Sequence, residues 1–375
     1  MNIQMVDLKG QYLSIKEDID AAIERVLASS QFINGPEVAQ FESELSEKLG
    51  GAHVLGVANG TDALQVALMA LGIGPGDEII TASFTFVATA EAVGLLGATP
   101  VFADINPETF NIDPVRIEEL ITERTKAIVP VHLFGQCADM DAIMEIASRH
   151  NIPVIEDAAQ AVGATFNGRI AGSMGVLGTL SFFPSKNLGC YGDGGAVMSS
   201  DPEWLSTARL IANHGSKKKY HNEVIGVNSR LDAMQAAILR AKLPHLESYS
   251  AARRLAADRY DSLLGSVSDI TLPSRDPRAS HVFHQYTLRV DGYNADRRDA
   301  LQRHLKEAGV PSFVYYPVPL HLLPIYRDNP DSCKTGEMTE TLRAANEVLS
   351  LPMHTELKEE EQEFIAESIK AFFEA

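Results

Sequence analysis

The sequence predicts an α/β fold, a mostly parallel sheet buried between helices, followed by a smaller α+β lobe. Three observations lead there. Short apolar runs, VLGVAN, EIITA, TPVFADI, AIVPVHLFG and IPVIEDAA, recur about every 20–25 residues from residue 54, the spacing of β-α units. Amphipathic segments such as TDALQVALMALG and DMDAIMEIASRHN lie between them. The runs are apolar throughout rather than alternating, so helices must cover both sheet faces.

In chain order, Ile15, Ile19, Ile23 and Val26 form one stripe on an opening helix. Asn34-Gly35-Pro36 stops that helix and starts another, with Val38, Phe41 and Leu45 on its buried side. After the five apolar runs, GTLSFFP reads as a strand, SKNLGCYGDGG as a glycine-rich loop and AVMSS as a further strand. Lys217-Lys218-Lys219 reads as a solvated loop. Beyond about residue 240 the texture changes, which predicts a large domain over 1–240 and a small one over 241–375. There, AKLPHLESYSAARRLAADRYDSLL reads as a long surface helix and HVFHQYTLRV as a strand. DRRDALQRHLKEAG reads as a helix ended by Gly309. On a strand, His281 and His284 point to opposite faces, which argues against a metal pair there.

Composition narrows the function. With 375 residues and a formal net charge of −18, the chain lacks the overall basic balance of a nucleic-acid or anionic-membrane binder. Cys137, Cys190 and Cys333 are odd in number and far apart, no disulfide framework and no zinc pattern, so a cytoplasmic location is expected. The first twenty residues have no apolar core, so no signal peptide is expected. The most apolar stretch, 82–103, is broken by Glu91 and Pro100, so no membrane span is expected.

Ligands of open parallel sheets sit at the carboxyl ends of the strands. After VLGVAN, Gly60, Thr61 and Asp62 open a helix, which suits a phosphate or serves as an ordinary N-cap. Asp157 ends IPVIED, where a buried carboxylate needs a partner. It can ligate a metal, orient a histidine, hold a protonated heterocycle nitrogen or cap the next helix. Lys186 stands 29 residues further on, at a strand exit inside the glycine-rich loop. Buried surroundings there would free its amine for Schiff-base chemistry; the alternative is a solvated surface lysine. GCYGDGG does not fit G-x-G-x-x-G, and no P-loop, H-E-x-x-H or G-x-S-x-G string is present.

Assembled, these residues resemble the DegT/DnrJ group of nucleotide-sugar aminotransferases, fold type I enzymes that use pyridoxal phosphate. The resemblance runs from VDLKGQY to LPMH through NGPEVAQFE, ANGTDAL, GDEIITASFTFVATAEA, PVFADI, IEDAAQA, SFFPSKNLGCYGDGG, GVNSRLDAMQAAIL and YYPVPLH. It implies a large domain with a seven-stranded sheet. It also implies that Lys186 bonds the cofactor covalently and shuttles the proton, while Asp157 pairs with the ring nitrogen. Gln160 would bond the ring hydroxyl and Phe86 stack on the ring. Gly60, Thr61, Asp62 and Ser181 would hold the phosphate, and Asn228 would reach it from a neighbouring subunit in a homodimer with shared active sites. Tyr191, Arg230, Tyr316 and His321 would contact substrate; no residue is assigned to a metal.

The implied reaction has two halves. L-glutamate leaves as 2-oxoglutarate with the cofactor as pyridoxamine phosphate, and a keto sugar on a nucleotide takes the amine. The GVNSRLDAMQAAIL and YYPVPLH segments most resemble enzymes that aminate UDP-2-acetamido-2-deoxy-3-oxo-glucuronate, making amino sugars for surface polysaccharide or lipopolysaccharide. Tyr315 departs from that pattern, in which His precedes the tyrosine. The alternatives are a dTDP-3-keto-6-deoxyhexose aminotransferase, a pyridoxal phosphate-dependent sugar dehydratase, or a non-catalytic regulator. The last two conflict with an intact Lys186.

Overall fold

The computed structural model describes residues 3–218, 220–292 and 295–374; Lys219 of the lysine run lies outside the described residues. Seven strands before residue 200 form the body of the large sheet: β1 (His53–Val57), β2 (Glu78–Ala82), β3 (Thr99–Ala103), β4 (Thr125–Val129), β5 (Ile155–Asp157), β6 (Leu177–Ser181) and β7 (Gly195–Ser199). Their spatial order is β1-β7-β6-β5-β4-β2-β3, with β4 and β5 joined by the Ile128–Val154 and Val131–Asp157 bridges. All neighbours pair in parallel except β7, which runs against both β1 and β6.

A second sheet, β8 (Ile270–Thr271), β9 (Tyr286–Val290) and β11 (Val348–Leu351), is antiparallel, with β9 in the middle. Between them in sequence, β10 (Lys334–Thr335) returns to the large sheet and pairs in parallel with the outer edge of β3.

The helices of eight or more residues are α1 (Lys16–Ser29), α2 (Pro36–Lys48), α3 (Gly60–Ala70), α4 (Ala88–Leu95), α5 (Met140–His150), α6 (Pro202–Ala212), α7 (Ala233–Lys242), α8 (Leu246–Leu264), α9 (Ala295–Glu307), α10 (Thr339–Glu347) and α11 (Glu359–Glu374). The predicted stripe on α2 is the buried one, Val38, Phe41 and Leu45, and Pro36 sits in its first turn, where a missing N–H costs nothing. Arg240 of α7 ties the two helices by pairing with Glu37 and Glu44 at 2.5 and 2.7 Å. Among the described residues, no helix is long and apolar enough to cross a membrane.

The chain buries several apolar clusters. One fills the space around α8, α9, α11 and the antiparallel sheet, with Tyr260, Tyr286, Leu288, Leu301, Leu349 and Ile365 sealed from solvent. Another brings Leu320, Tyr326 and Met338 against Phe102 and Ala90 of the large sheet's flank.

Two local expectations change. The strand predicted over HVFHQYTLRV begins only at Tyr286. Before it, the Val282 and Gln285 N–H groups donate to the Gly135 and Phe134 carbonyls, so this segment takes a turn instead of joining a ladder. His281 and His284 therefore do not alternate across a sheet, and both are buried; His281 stacks flat on Phe283 at 3.8 Å. Residues Ser216–Lys218 form a small hairpin with His221–Asn222, and Lys217 pairs with Glu223 at 3.2 Å.

Candidate active site

A cavity of about 540 Å³ opens at the carboxyl ends of the parallel strands. Gly60 and Thr61 come after β1, Phe86 after β2, Asp157 and Gln160 at and beyond the end of β5, and Ser181 and Lys186 at and beyond the end of β6. All of them line the cavity, as does Tyr316.

The β1 side is a helix start packed against a strand end. A Cβ on Gly60 would stand 2.7 Å from the Ser181 Cβ, so glycine is required for α3 to begin this close. Asn59 Oδ1 caps the helix by accepting from the Asp62 N–H at 2.8 Å. That commits the Asp62 N–H and leaves those of Gly60 and Thr61 directed out of the helix start beside the Ser181 hydroxyl, the arrangement that receives an anion. Asp62 itself does not line the cavity.

Asp157 is held at both oxygens. Oδ1 accepts from the Ala159 N–H at 3.1 Å and Oδ2 from the Thr89 hydroxyl at 2.7 Å. The strand beneath is fixed by its neighbour Glu156, fully buried, which takes the N–H groups of Gly172, Met174 and Gly175 and pairs with His132 Nε2 at 2.8 Å. Gln160 Oε1 accepts from the Phe134 N–H at 2.9 Å, and its Nε2 donates to the Tyr316 hydroxyl at 3.2 Å.

Lys186 is half-buried as a residue because it faces the cavity, yet protein surrounds its amine. That burial pulls it down to about 8, against a smaller upward pull from the Asp157 charge. Among the described residues its amine makes no ion pair, and Asp157 is committed elsewhere. Phe86 presents an exposed ring to the space, 6.5 Å from that of Tyr316.

Besides Asp62, four sequence-predicted residues stand apart from this cavity. Asn228 and Arg230 line an adjoining hollow, also about 540 Å³, that shares Asn59 and Asp193 with the first. Tyr191 packs edge-on against Tyr12 with its hydroxyl sealed and unpartnered, so it does not reach the cavity. His321 is turned to Ser83, whose Oγ lies 2.7 Å from its Nδ1, and is likewise outside the lining.

Sequence reasoning missed Thr85, Thr89, Phe134, Asp193 and His284, which also line the cavity. Thr89 had one available signal, its place three residues after Phe86, in the first turn of α4. His284 had none, since its position depends on the turn at Phe134–Gly135; a Cβ on Gly135 would stand 2.8 Å from the His284 nitrogen.

These residues fit a phosphorylated pyridine aldehyde. Uncommitted amine, ionisable partner for a ring nitrogen, aromatic face and anion-ready helix start converge on one space, and the buried Thr85 hydroxyl on its wall has no partner. Fold and site together define a pyridoxal phosphate-dependent aminotransferase of fold type I. The chain belongs to the DegT/DnrJ/EryC1/StrS aminotransferase family, whose model matches residues 13–370.

Three relatives and one solved structure illustrate the likeness. The chain is 50% identical over 375 residues to a protein of Geobacillus stearothermophilus named a pleiotropic regulatory protein (100% of this chain, 99% of the relative). It is 50% identical over 352 residues to the UDP-2-acetamido-2-deoxy-3-oxo-D-glucuronate aminotransferase of Pseudomonas aeruginosa (94% and 95%). It is 42% identical over 372 residues to the dTDP-3-amino-3,4,6-trideoxy-alpha-D-glucose transaminase of Streptomyces venezuelae (99% and 96%). The crystal structure of S. venezuelae DesV in complex with a ketimine intermediate superposes with a TM-score of 0.95 at 42% identity, covering 100% of this chain and 99% of that one.

Proposed function

We propose that this aminotransferase moves the amino group of L-glutamate to the keto carbon of UDP-2-acetamido-2-deoxy-3-oxo-glucuronate, releasing 2-oxoglutarate and a UDP-linked amino sugar for surface polysaccharide. The observation that carries this reading is the 50% identity, over nearly the whole of both chains, to an enzyme named for that substrate. Arg230 supports it: it lines the adjoining hollow and makes no ion pair among the described residues. A planar guanidinium suits a carboxylate through two parallel hydrogen bonds, so Arg230 is free to take the uronate and, in the other half-reaction, a carboxylate of glutamate. Asn228 is exposed beside it, which suits our further reading that two copies of the chain complete each site.

The bound cofactor supplies an electron sink for the carbon that loses a proton. The chain does the rest. Lys186 carries the proton at its Nζ, held near neutral by burial, so that the amine can both accept and return it near pH 8. Asp157, anchored by Thr89 and Ala159, would pair with the ring nitrogen. Gln160 would bond the ring hydroxyl, and Phe86 would stack on the ring. The Gly60–Thr61 helix start with Ser181 would hold the phosphate. In this reading the chain divides into a cofactor-binding domain over 1–240 and a small domain over 241–375, and it works in the cytoplasm.

A second reading, amination of a dTDP-linked 3-keto-6-deoxyhexose, is favoured by Tyr315 on the cavity wall and by the 42% identity to a dTDP-sugar transaminase. The test runs in the reverse direction. The holoenzyme is mixed with 2-oxoglutarate and either the UDP-linked 3-amino uronate or a dTDP-linked 3-amino-6-deoxyhexose, and glutamate is quantified by mass spectrometry. Glutamate from the uronate supports the first reading. Glutamate from the deoxyhexose alone replaces it with the second.

A further inference from the structure

We propose that Thr89 is a positioning residue for the reaction: its hydroxyl commits the Asp157 carboxylate and thereby keeps it from pairing with Lys186. The proposal rests on the reading of Asp157 as the partner of the cofactor ring. Thr89 is 1% exposed and sits in the first turn of α4, directly after the segment that supplies Thr85 and Phe86 to the same wall. A carboxylate only accepts, so the Thr89 Oγ1–H must be the donor in the 2.7 Å contact to Oδ2. That distance is the ordinary one for a well-formed O–H···O bond. The Ala159 N–H takes the other oxygen at 3.1 Å. With one donor on each oxygen, the carboxylate plane is fixed.

The consequence lies at Lys186. The Asp157 charge reaches its amine, yet no ion pair between them forms within 4.0 Å. Both line one cavity, and a carboxylate released from its two donors would be drawn toward an ammonium there. Such a pair would keep Lys186 protonated and remove its lone pair. The hydroxyl, contributed by a residue 68 positions away in the chain, therefore maintains a gap that the catalytic amine needs.

The apoenzyme tests this without turnover. Pyridoxal phosphate is added across a pH series, and the growth of the visible band from its bond to Lys186 gives the rate. In wild type the rate rises with pH and levels near 8. Thr89→Val should move that midpoint up by about one pH unit, slowing the reaction at pH 7 about tenfold. Thr89→Ser, which keeps the hydroxyl, should restore the wild-type profile, and Asp157→Asn should move the midpoint down. Thr89→Ala, which removes the hydroxyl without adding bulk, must reproduce the upward shift if the valine variant does not fold. An unmoved midpoint in Thr89→Val and Thr89→Ala, with Asp157→Asn still shifting it, overturns the role of Thr89 alone. An unmoved midpoint in Asp157→Asn as well overturns the placement of Asp157 beside the reacting amine. Serine behaving like valine would assign Thr89 to packing through its methyl group and overturn the proposal.

Discussion

Lys186 and Lys242 make an informative pair. Burial pulls both amines down to about 8, and neither makes an ion pair among the described residues. Their surroundings differ in one respect. Lys242 is 1% exposed and fully engaged: it donates to the Gly189 carbonyl at 2.7 Å and to Gln11 Oε1 at 3.0 Å, and lies over the Tyr191 ring at 4.3 Å. Lys186 opens on a cavity with its amine uncommitted. Desolvation alone thus does not mark a nucleophile; it marks one only where the amine has space before it and no acceptor to hold it. Lys242 uses the same desolvated charge to fasten Gly189, a residue of the very loop that carries Lys186.

The sharpest break of this pairing is by substitution. If Lys186 is the proton carrier we propose, Lys186→Ala should slow glutamate-driven bleaching of the cofactor band by at least about 10³-fold in stopped-flow absorbance. Lys242→Met should cost no more than about tenfold, the value of a tether rather than of chemistry. Equal losses in the two variants would show that the two lysines are not functionally distinct.

A second contrast is in pH. The free Lys186 amine reacts only when neutral, so reconstitution of the apoenzyme with pyridoxal phosphate should quicken about tenfold per unit below pH 8 and level off above it. Lys242→Met should leave that profile in place. A plateau reached only near the ordinary lysine value would mean that the Lys186 amine is solvated.

Much of this organisation is legible in the chain. The apolar runs mark the strands, and the ligand rule then singles out Gly60-Thr61, Asp157 and Lys186 at their exits; Phe86 and Gln160 came only with the family resemblance, and all of these line one cavity. Those signals are local in sequence, which is why they survive reading without a structure. The residues that escaped depend on distant approach. Thr89 meets Asp157 across 68 positions, and His132 meets Glu156 across 24. His284 is set by a turn from another part of the chain, which also stops the strand predicted through it. Tyr191 carried an aromatic ring beside the lysine loop, but its engagement by Tyr12 and Lys242 turns it away from the cavity.

The engaged lysine also leaves a mark on stability. Unfolded, Lys242 titrates at the ordinary value of 10.5; folded, near 8, with burial as the first cause. Between these values the unfolded chain holds the proton and the folded chain does not, so stability rises with pH through that window and is flat in this respect below it. The full contribution is about 3 kcal/mol. Urea denaturation of the apoenzyme at pH 8, 9 and 10 should show the rise, and Lys242→Met should flatten part of it. A slope unchanged in the variant would mean that the Lys242 amine is not desolvated.

Arg230 extends the same reasoning to the sugar side with a smaller effect. Like Lys186 it is a cation without a carboxylate partner, and like Lys186 it borders a hollow; unlike Lys242, nothing among the described residues fastens it. An uncommitted guanidinium is expected to meet its anion in the substrate. Arg230→Lys keeps the charge but loses the planar fork. With enzyme first converted to the aminated cofactor form, single-turnover transfer to the carboxylated keto sugar should fall roughly tenfold, the loss of one charge-assisted hydrogen bond. Transfer to a neutral 6-deoxy keto sugar should change less than about twofold, since no carboxylate is there to lose the bond. Equal losses with both sugars would assign Arg230 to the nucleotide or to the subunit boundary. The distinction between committed and uncommitted cations would then hold at the cofactor and fail at the sugar.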